Sequence, residues 1–97
     1  QIQVGEVIKC EPVPKAKKLL VSQIKIGAET RQIVSGIAKY YKPEEMVGKK
    51  VAVITNLKPC KLCGVESQGM ILPAGDDEGN LSVVTVDKDI VSGSEIC

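Results

Sequence analysis

Apolar and polar residues alternate through the first eleven positions, with Ile2, Val4, Ile8 and Cys10 on one side and Gln1, Gln3, Lys9 and Glu11 on the other. A period of two over this length predicts a half-buried β-strand. Gly5 and the charged Glu6 interrupt the apolar side, which predicts a bulge or sharp bend there and a strongly curved strand. Pro12 and Pro14 cannot donate to a ladder and are expected to end it. After the basic loop Val13–Lys18, alternation resumes over Leu19–Ile26, with Leu20, Ile24 and Ile26 on one face and Gln23 and Lys25 on the other. Gly27-Ala28-Glu29 is short enough for a hairpin, so Thr30–Val34 should return as an antiparallel neighbour.

The pattern changes after Ser35-Gly36. Pro43-Glu44-Glu45-Met46-Val47-Gly48 has the order of a very short helix: proline suits the first turn, glutamates suit the positive N-terminal end, and glycine suits the stop. Val51–Ile54 is a continuous apolar run, consistent with a buried strand, and Met70–Leu72 is another. Between them, Asn56–Met70 is polar, carries Pro59, Gly64 and Gly69, and is too long to serve only as a chain reversal. An acidic turn, Asp76–Asn80, leads into a final strand over Leu81–Val86, with further turns at Asp87–Asp89 and Ser92–Ser94.

Short strands with one short helix between the third and fourth predict an all-β chain: an OB-fold five-stranded barrel with a C-terminal β extension. A small β-sandwich is the alternative. Ninety-seven residues suffice for one domain with one modest core, here a barrel over about 1–75 and an extension over about 76–97. No apolar run approaches a membrane span and no signal-peptide pattern is present, so cytoplasmic residence is the expectation.

Net charge is only +1, but it is unevenly spread. Residues 1–64 carry 12 Lys/Arg against 5 Asp/Glu, a balance of +7, whereas residues 65–97 carry only Lys88 against 7 acids, a balance of −6. The first part therefore suits a polyanion. Lysines at 15, 17, 18, 39, 42, 58 and 61 fall in loops or at strand ends, where the rim of one small barrel can gather several onto a phosphate-tracking surface.

Enzymatic chemistry is poorly supplied. Histidine is absent, no carboxylate pair is framed by apolar sequence, and no phosphate loop with a Lys-Ser/Thr ending occurs. Cys60-Lys61-Leu62-Cys63 has the spacing of zinc and redox sites, yet there is no second such pair and no histidine. Pro59 and Gly64 frame it as loop rather than as a helix start. Cys10, Cys60, Cys63 and Cys97 are therefore expected to be reduced and unpaired, and neither a metal nor a cofactor is expected. Tyr40 and Tyr41 are the whole aromatic complement, too few for a platform that stacks bases along a single strand. A folded RNA recognised by shape and backbone fits better.

The runs RQIVSGIAKYYKPEE at Arg31–Glu45, VGKKV at Val47–Val51, NLKP at Asn56–Pro59 and GVESQGM at Gly64–Met70 resemble, in this order, a known family. It is the tRNA-binding domain found at the C-terminus of methionyl-tRNA synthetases, in free-standing bacterial tRNA-binding proteins and in eukaryotic synthetase-associated factors. The similarity covers nearly the whole chain, and Ile37–Pro43 is closer to the bacterial synthetase domain. The resemblance implies an OB-fold, binding of tRNA with little choice among species, and a homodimer built by the segment after the barrel. By matching positions it makes Lys18, Asn56, Lys58, Lys61, Ser67, Gln68 and Met70 the candidates for tRNA contact, with Lys15, Lys17 and Lys39 as secondary phosphate contacts. Ala16-Lys17-Lys18-Leu19 stands where the family commonly has Ala-Asp-Lys-Leu, so a base replaces an acid; Cys60 and Cys63 stand where the family varies. The family's usual segment before the first strand is not in the sequence, so the dimer interface is expected to be incomplete. The implied role is non-catalytic, appended to or associated with methionyl-tRNA synthetase. A free-standing dimeric tRNA-binding protein is the alternative, as is a chaperone-like relative that binds peptides.

Overall fold

The computed structural model describes residues 2–96; the placement expected of Gln1 and the reduced state expected of Cys97 lie outside them. Strands β1 (Ile2–Val13), β2 (Ala16–Ile26), β3 (Glu29–Ser35), β4 (Lys50–Ile54) and β7 (Met70–Ile71) form one antiparallel sheet in the order β3-β2-β1-β4-β7. Helix α1 (Pro43–Met46) lies between β3 and β4, where the proline and glutamates predict it. Its first turn is closed by the Lys42 amide, which donates to the Glu45 carboxylate at 2.9 Å. Two small hairpins complete the chain, β5 (Cys60–Leu62) with β6 (Val65–Ser67) and β8 (Pro73–Gly75) with β9 (Leu81–Val83). The architecture is all-β in the expected order, and among the described residues no helix is long and apolar enough to cross a membrane.

The sheet curls because β1 is long and twice irregular. Its register with β2 slips between Val7 and Lys9 and again between Pro12 and Val13. The first slip makes Ile8 an extra residue, and that corrects the face assigned to β1. Ile8 is 48% exposed, whereas Val7 and Cys10, three apart, both enter the core with Ile24, Ile33, Val51 and Val53. A bulge that adds one residue breaks the period of two, which alternation alone misses. The bulge also lies beyond Gly5, where it was expected. Gly5 is needed for a different reason: a Cβ there would sit 2.5 Å from Ile24 Cγ2 and 3.0 Å from Val53 Cγ2. Pro12 does not end β1 either; the strand runs on to Val13 and stops at Pro14. Pro12 still pairs with Leu20, in a part of β1 that pairs only with β2, and the reversal is a tight turn at Pro14-Lys15. A proline is tolerated where one strand edge needs no donor.

The C-terminal segment caps the edges that the sheet leaves open. Residues Ile2–Val4 pair with β4 but not with β2. Their free groups meet Gly93–Ile96 instead: Val4 N–H donates to Ser94 at 2.8 Å, Gly93 N–H to Val4 at 2.6 Å, and Ile96 N–H to Ile2 at 2.9 Å. Ala52 N–H of β4 likewise donates to Val84 at 2.9 Å, and Val84 N–H to Leu72 at 2.9 Å. Buried backbone groups require such partners, and Val4 and Ala52, both 2% exposed, lie beneath this strap. The expected strand Leu81–Val86 therefore ends as a ladder at Val83, because the chain leaves β8 to serve β4. Lys50 fastens the strap further, its ammonium meeting Asp89 and the Ile90 carbonyl.

Candidate nucleic-acid interface

The stretch Asn56–Met70 is not an open loop. Its centre is the hairpin β5–β6, in which Cys60 faces Ser67, Lys61 faces Glu66 and Leu62 faces Val65. Cys63 and Gly64 make the two-residue turn with φ of +50° and +81°. Positive φ at both central residues is what a type I′ hairpin turn requires, and glycine adopts it freely. The second cysteine of the Cys-x-x-Cys run thus occupies a turn position, while the first lies on a strand.

The hairpin is clamped to the edge of the main sheet. Gln68 N–H donates to the Gln32 carbonyl at 2.8 Å and Gln32 N–H returns a bond to Gln68 Oε1 at 3.1 Å. Gln32 Nε2 donates to the Glu66 carbonyl at 2.8 Å. Ser67 is 2% exposed, and its hydroxyl accepts from Val34 N–H at 3.0 Å and donates to the Gly69 carbonyl at 3.0 Å. Arg31, which the sequence does not single out, reaches under the loop to the carbonyls of Thr55 and Gln68 and pairs with Glu29. These bonds tie the β5–β6 hairpin and the residues before β7 to β3, the edge strand of the main sheet.

Between this hairpin, the end of β3 and the β8–β9 hairpin runs a groove of about 300 Å³. Its walls are apolar, built from Ile37, Leu57, Leu62, Met70, Pro73 and Leu81, and Lys58 is the one charged residue among those that line it. Cys60 and Leu62 line it as well, so the intervening Lys61 faces the other side of β5, opposite Glu66. Ser35 lies at the groove with its Oγ buried and, among the described residues, without a hydrogen-bond partner. Tyr41 braces the outer wall: Val83 N–H donates to its hydroxyl oxygen at 3.1 Å and Ser82 lies within 3.5 Å. The Ser82 contact, then the Val83 amide, hold the Tyr41 phenol below its ordinary pKa.

Of the candidate residues, Lys58, Ser67 and Met70 come together at this groove. Gln68 faces a neighbouring recess with Arg31, Thr55 and Pro59, and Leu57 lines both. Asn56 is exposed beside Leu57. Lys18 is exposed, and its carbonyl accepts from Ala38 N–H at 3.2 Å, which sets that backbone beside Lys39 and the Ile37 end of the groove. Lys15 lies in the Pro14-Lys15 turn and Lys17 at the start of β2, next to Lys18 in the chain. Ser67 differs from the others in that its hydroxyl already serves two backbone groups. Among the described residues, no three His, Cys, Asp or Glu side chains are grouped to hold a metal ion. Arg31 and Ser35 left no periodicity or spacing signal, because their roles depend on which distant segments β3 meets.

The model of the family described as "Putative tRNA binding domain" matches residues 2–95. The methionine–tRNA ligase of Methanocaldococcus jannaschii is 64% identical over 95 residues, and that of Bacillus subtilis is 55% identical over 96 residues. These matches cover 98% and 99% of the chain but only 15% and 14% of the respective ligases. Among solved structures, a MetRS related protein from Pyrococcus horikoshii superimposes with a TM-score of 0.94 at 40% identity, covering 100% of this chain and 89% of that one. The chaperone CsaA of Bacillus anthracis shares the fold, with a TM-score of 0.88 at 22% identity over 99% of this chain and 89% of its own. The chain belongs to the tRNA-binding domain family.

Proposed function

We propose that the chain is a non-catalytic tRNA-binding module that works in the cytoplasm as part of, or beside, a methionine–tRNA ligase and raises its affinity for tRNA. The observation that carries this reading is the family match across residues 2–95, in a chain whose apolar groove has Lys58 as its one charged lining residue. Lys58, with Lys18 and Lys39 beyond the Ile37 end and Lys15 and Lys17 at the turn between β1 and β2, takes phosphates. Met70 gives apolar contact, Asn56 and Gln68 give polar contacts from the rim, Ser67 holds the hairpin in place, and Lys61 contributes from the opposite face of β5. The barrel over about 1–75 and the extension over about 76–97 act as one domain. A homodimer forms through the extension, where Ile90, Val91 and Ile96 are exposed, Val91 to 76%.

Binding of a tRNA transcript, measured across a series of salt concentrations, tests this reading. Phosphate contacts make log affinity fall linearly with log salt. A shallow or absent slope overturns it. The second reading, a peptide-binding chaperone, is favoured by the apolar walls and predicts near-indifference to salt. Sedimentation that finds a monomer at high protein concentration removes the dimer.

A further inference from the structure

We propose that the groove beside β5 takes one unstacked nucleobase of the bound tRNA, so that recognition includes a base contact besides the backbone. The inference rests on the tRNA-binding reading and adds a ligand group to its site. Three observations carry it.

The first is size: about 300 Å³ is at the lower limit of small-ligand sites, room for one ring system and not for a run of RNA. The second is the lining. Met70, 47% exposed, and Leu57, 46% exposed, offer apolar and thioether surface to a ring, a contact that a methionine makes with a π face in place of an aromatic platform. The third is Ser35. It is 9% exposed, and its Oγ has no hydrogen-bond partner among the described residues. A buried hydroxyl left unpaired is costly, and Ser35 is among the residues that line the groove. A base edge carries donors and acceptors that meet such a hydroxyl, whereas the aliphatic side chain of a peptide would leave it unpaired. Lys58 on the groove is placed to take the phosphate attached to the inserted nucleotide.

The test uses the full chain and a tRNA transcript. Ser35→Ala removes the hydroxyl without changing charge or opening a cavity of consequence. Affinity is expected to fall about three- to tenfold at every salt concentration with the salt slope unchanged. In a methionine-methyl-labelled sample, the Met70 methyl resonance is expected to shift when tRNA, or millimolar AMP, GMP, CMP or UMP, is added. The Met46 methyl, at 0% exposure, stays in place as an internal control. If tRNA binds with its steep salt slope but Ser35→Ala binds like wild type and Met70 does not move, the base pocket is wrong and the tRNA-binding reading stands. If no tRNA binds at all, both fall. If an apolar peptide moves Met70 while tRNA and the nucleotides do not, the groove's occupant is a peptide and the inference is overturned.

Discussion

Ser67 and Ser35 line the same groove, and substituting each by alanine should have opposite effects on folding. The Ser67 hydroxyl accepts from Val34 N–H at 3.0 Å and donates to the Gly69 carbonyl at 3.0 Å. Val34 is 6% exposed, so its amide, deprived of this partner, has no ready access to water. An unsatisfied buried donor costs about 1–3 kcal/mol. Gly69 is only half-buried, so water takes over its carbonyl at smaller cost. The sum is about 2 kcal/mol, which for a domain of this size is a fall in Tm of about 8–16 °C. In urea, with a slope of about 1–3 kcal/mol per molar, the midpoint should drop by about 1 M. Ser35 Oγ has no partner to lose, so Ser35→Ala should leave the midpoint unchanged or raise it. Urea unfolding followed by far-UV circular dichroism on both variants decides the matter. A Ser67→Ala midpoint within about 0.2 M of wild type refutes the bracing role. If the same protein binds tRNA more weakly while folding normally, Ser67 is a contact and not a brace.

Gly5→Ala forces a methyl to within 2.5 Å of Ile24 Cγ2, and overpacking of this kind should cost about 1–3 kcal/mol or more in the same unfolding assay. Lys58→Ala should lower the magnitude of the tRNA salt slope by about 0.7–0.9, one phosphate's worth. Lys61→Ala should lower it less, because Lys61 faces Glu66 on the far side of the hairpin; equal losses from the two would refute the assignment of the groove face. Burial pushes the Cys10 thiol above its ordinary pKa, a rise that the Ser22 hydrogen bond only partly offsets. Since the folded-state value is the higher one, stability from this group is complete below the unfolded-state pKa and lost as pH rises through the folded-state value. Wild type should therefore lose stability relative to Cys10→Ala as pH rises above the ordinary thiol value of about 8.5, measured by unfolding midpoints. Brief alkylation with peptide mapping should mark the exposed Cys60 and Cys63 and spare the buried Cys10; rapid labelling of Cys10 would refute its placement.

Local chemistry determined more of this protein than its size suggests. Period-two alternation located β2, the short hairpin link at Gly27–Glu29 located β3, the Pro-Glu-Glu order located α1, and the apolar run Val51–Ile54 located β4, because each depends on residues close in sequence. The runs from Arg31 to Met70 carried the family. Tertiary structure decided the rest. Alternation could not reveal that β1 bulges at Ile8, because a bulge is settled by registry with a partner strand. Gly5 read as a bend, yet what requires it is the approach of Ile24 and Val53 from two other strands. Asn56–Met70 read as a loop because its hairpin has only three residues a side and is held by β3, which lies more than thirty residues away in the chain. The candidate site divided for the same reason. Lys58 and Lys61 are three apart in the sequence, but strand alternation puts one at the groove and the other behind it. Ser35 had no distinguishing context at all. A buried hydroxyl's partner, or lack of one, is fixed only when strands distant in sequence are brought together.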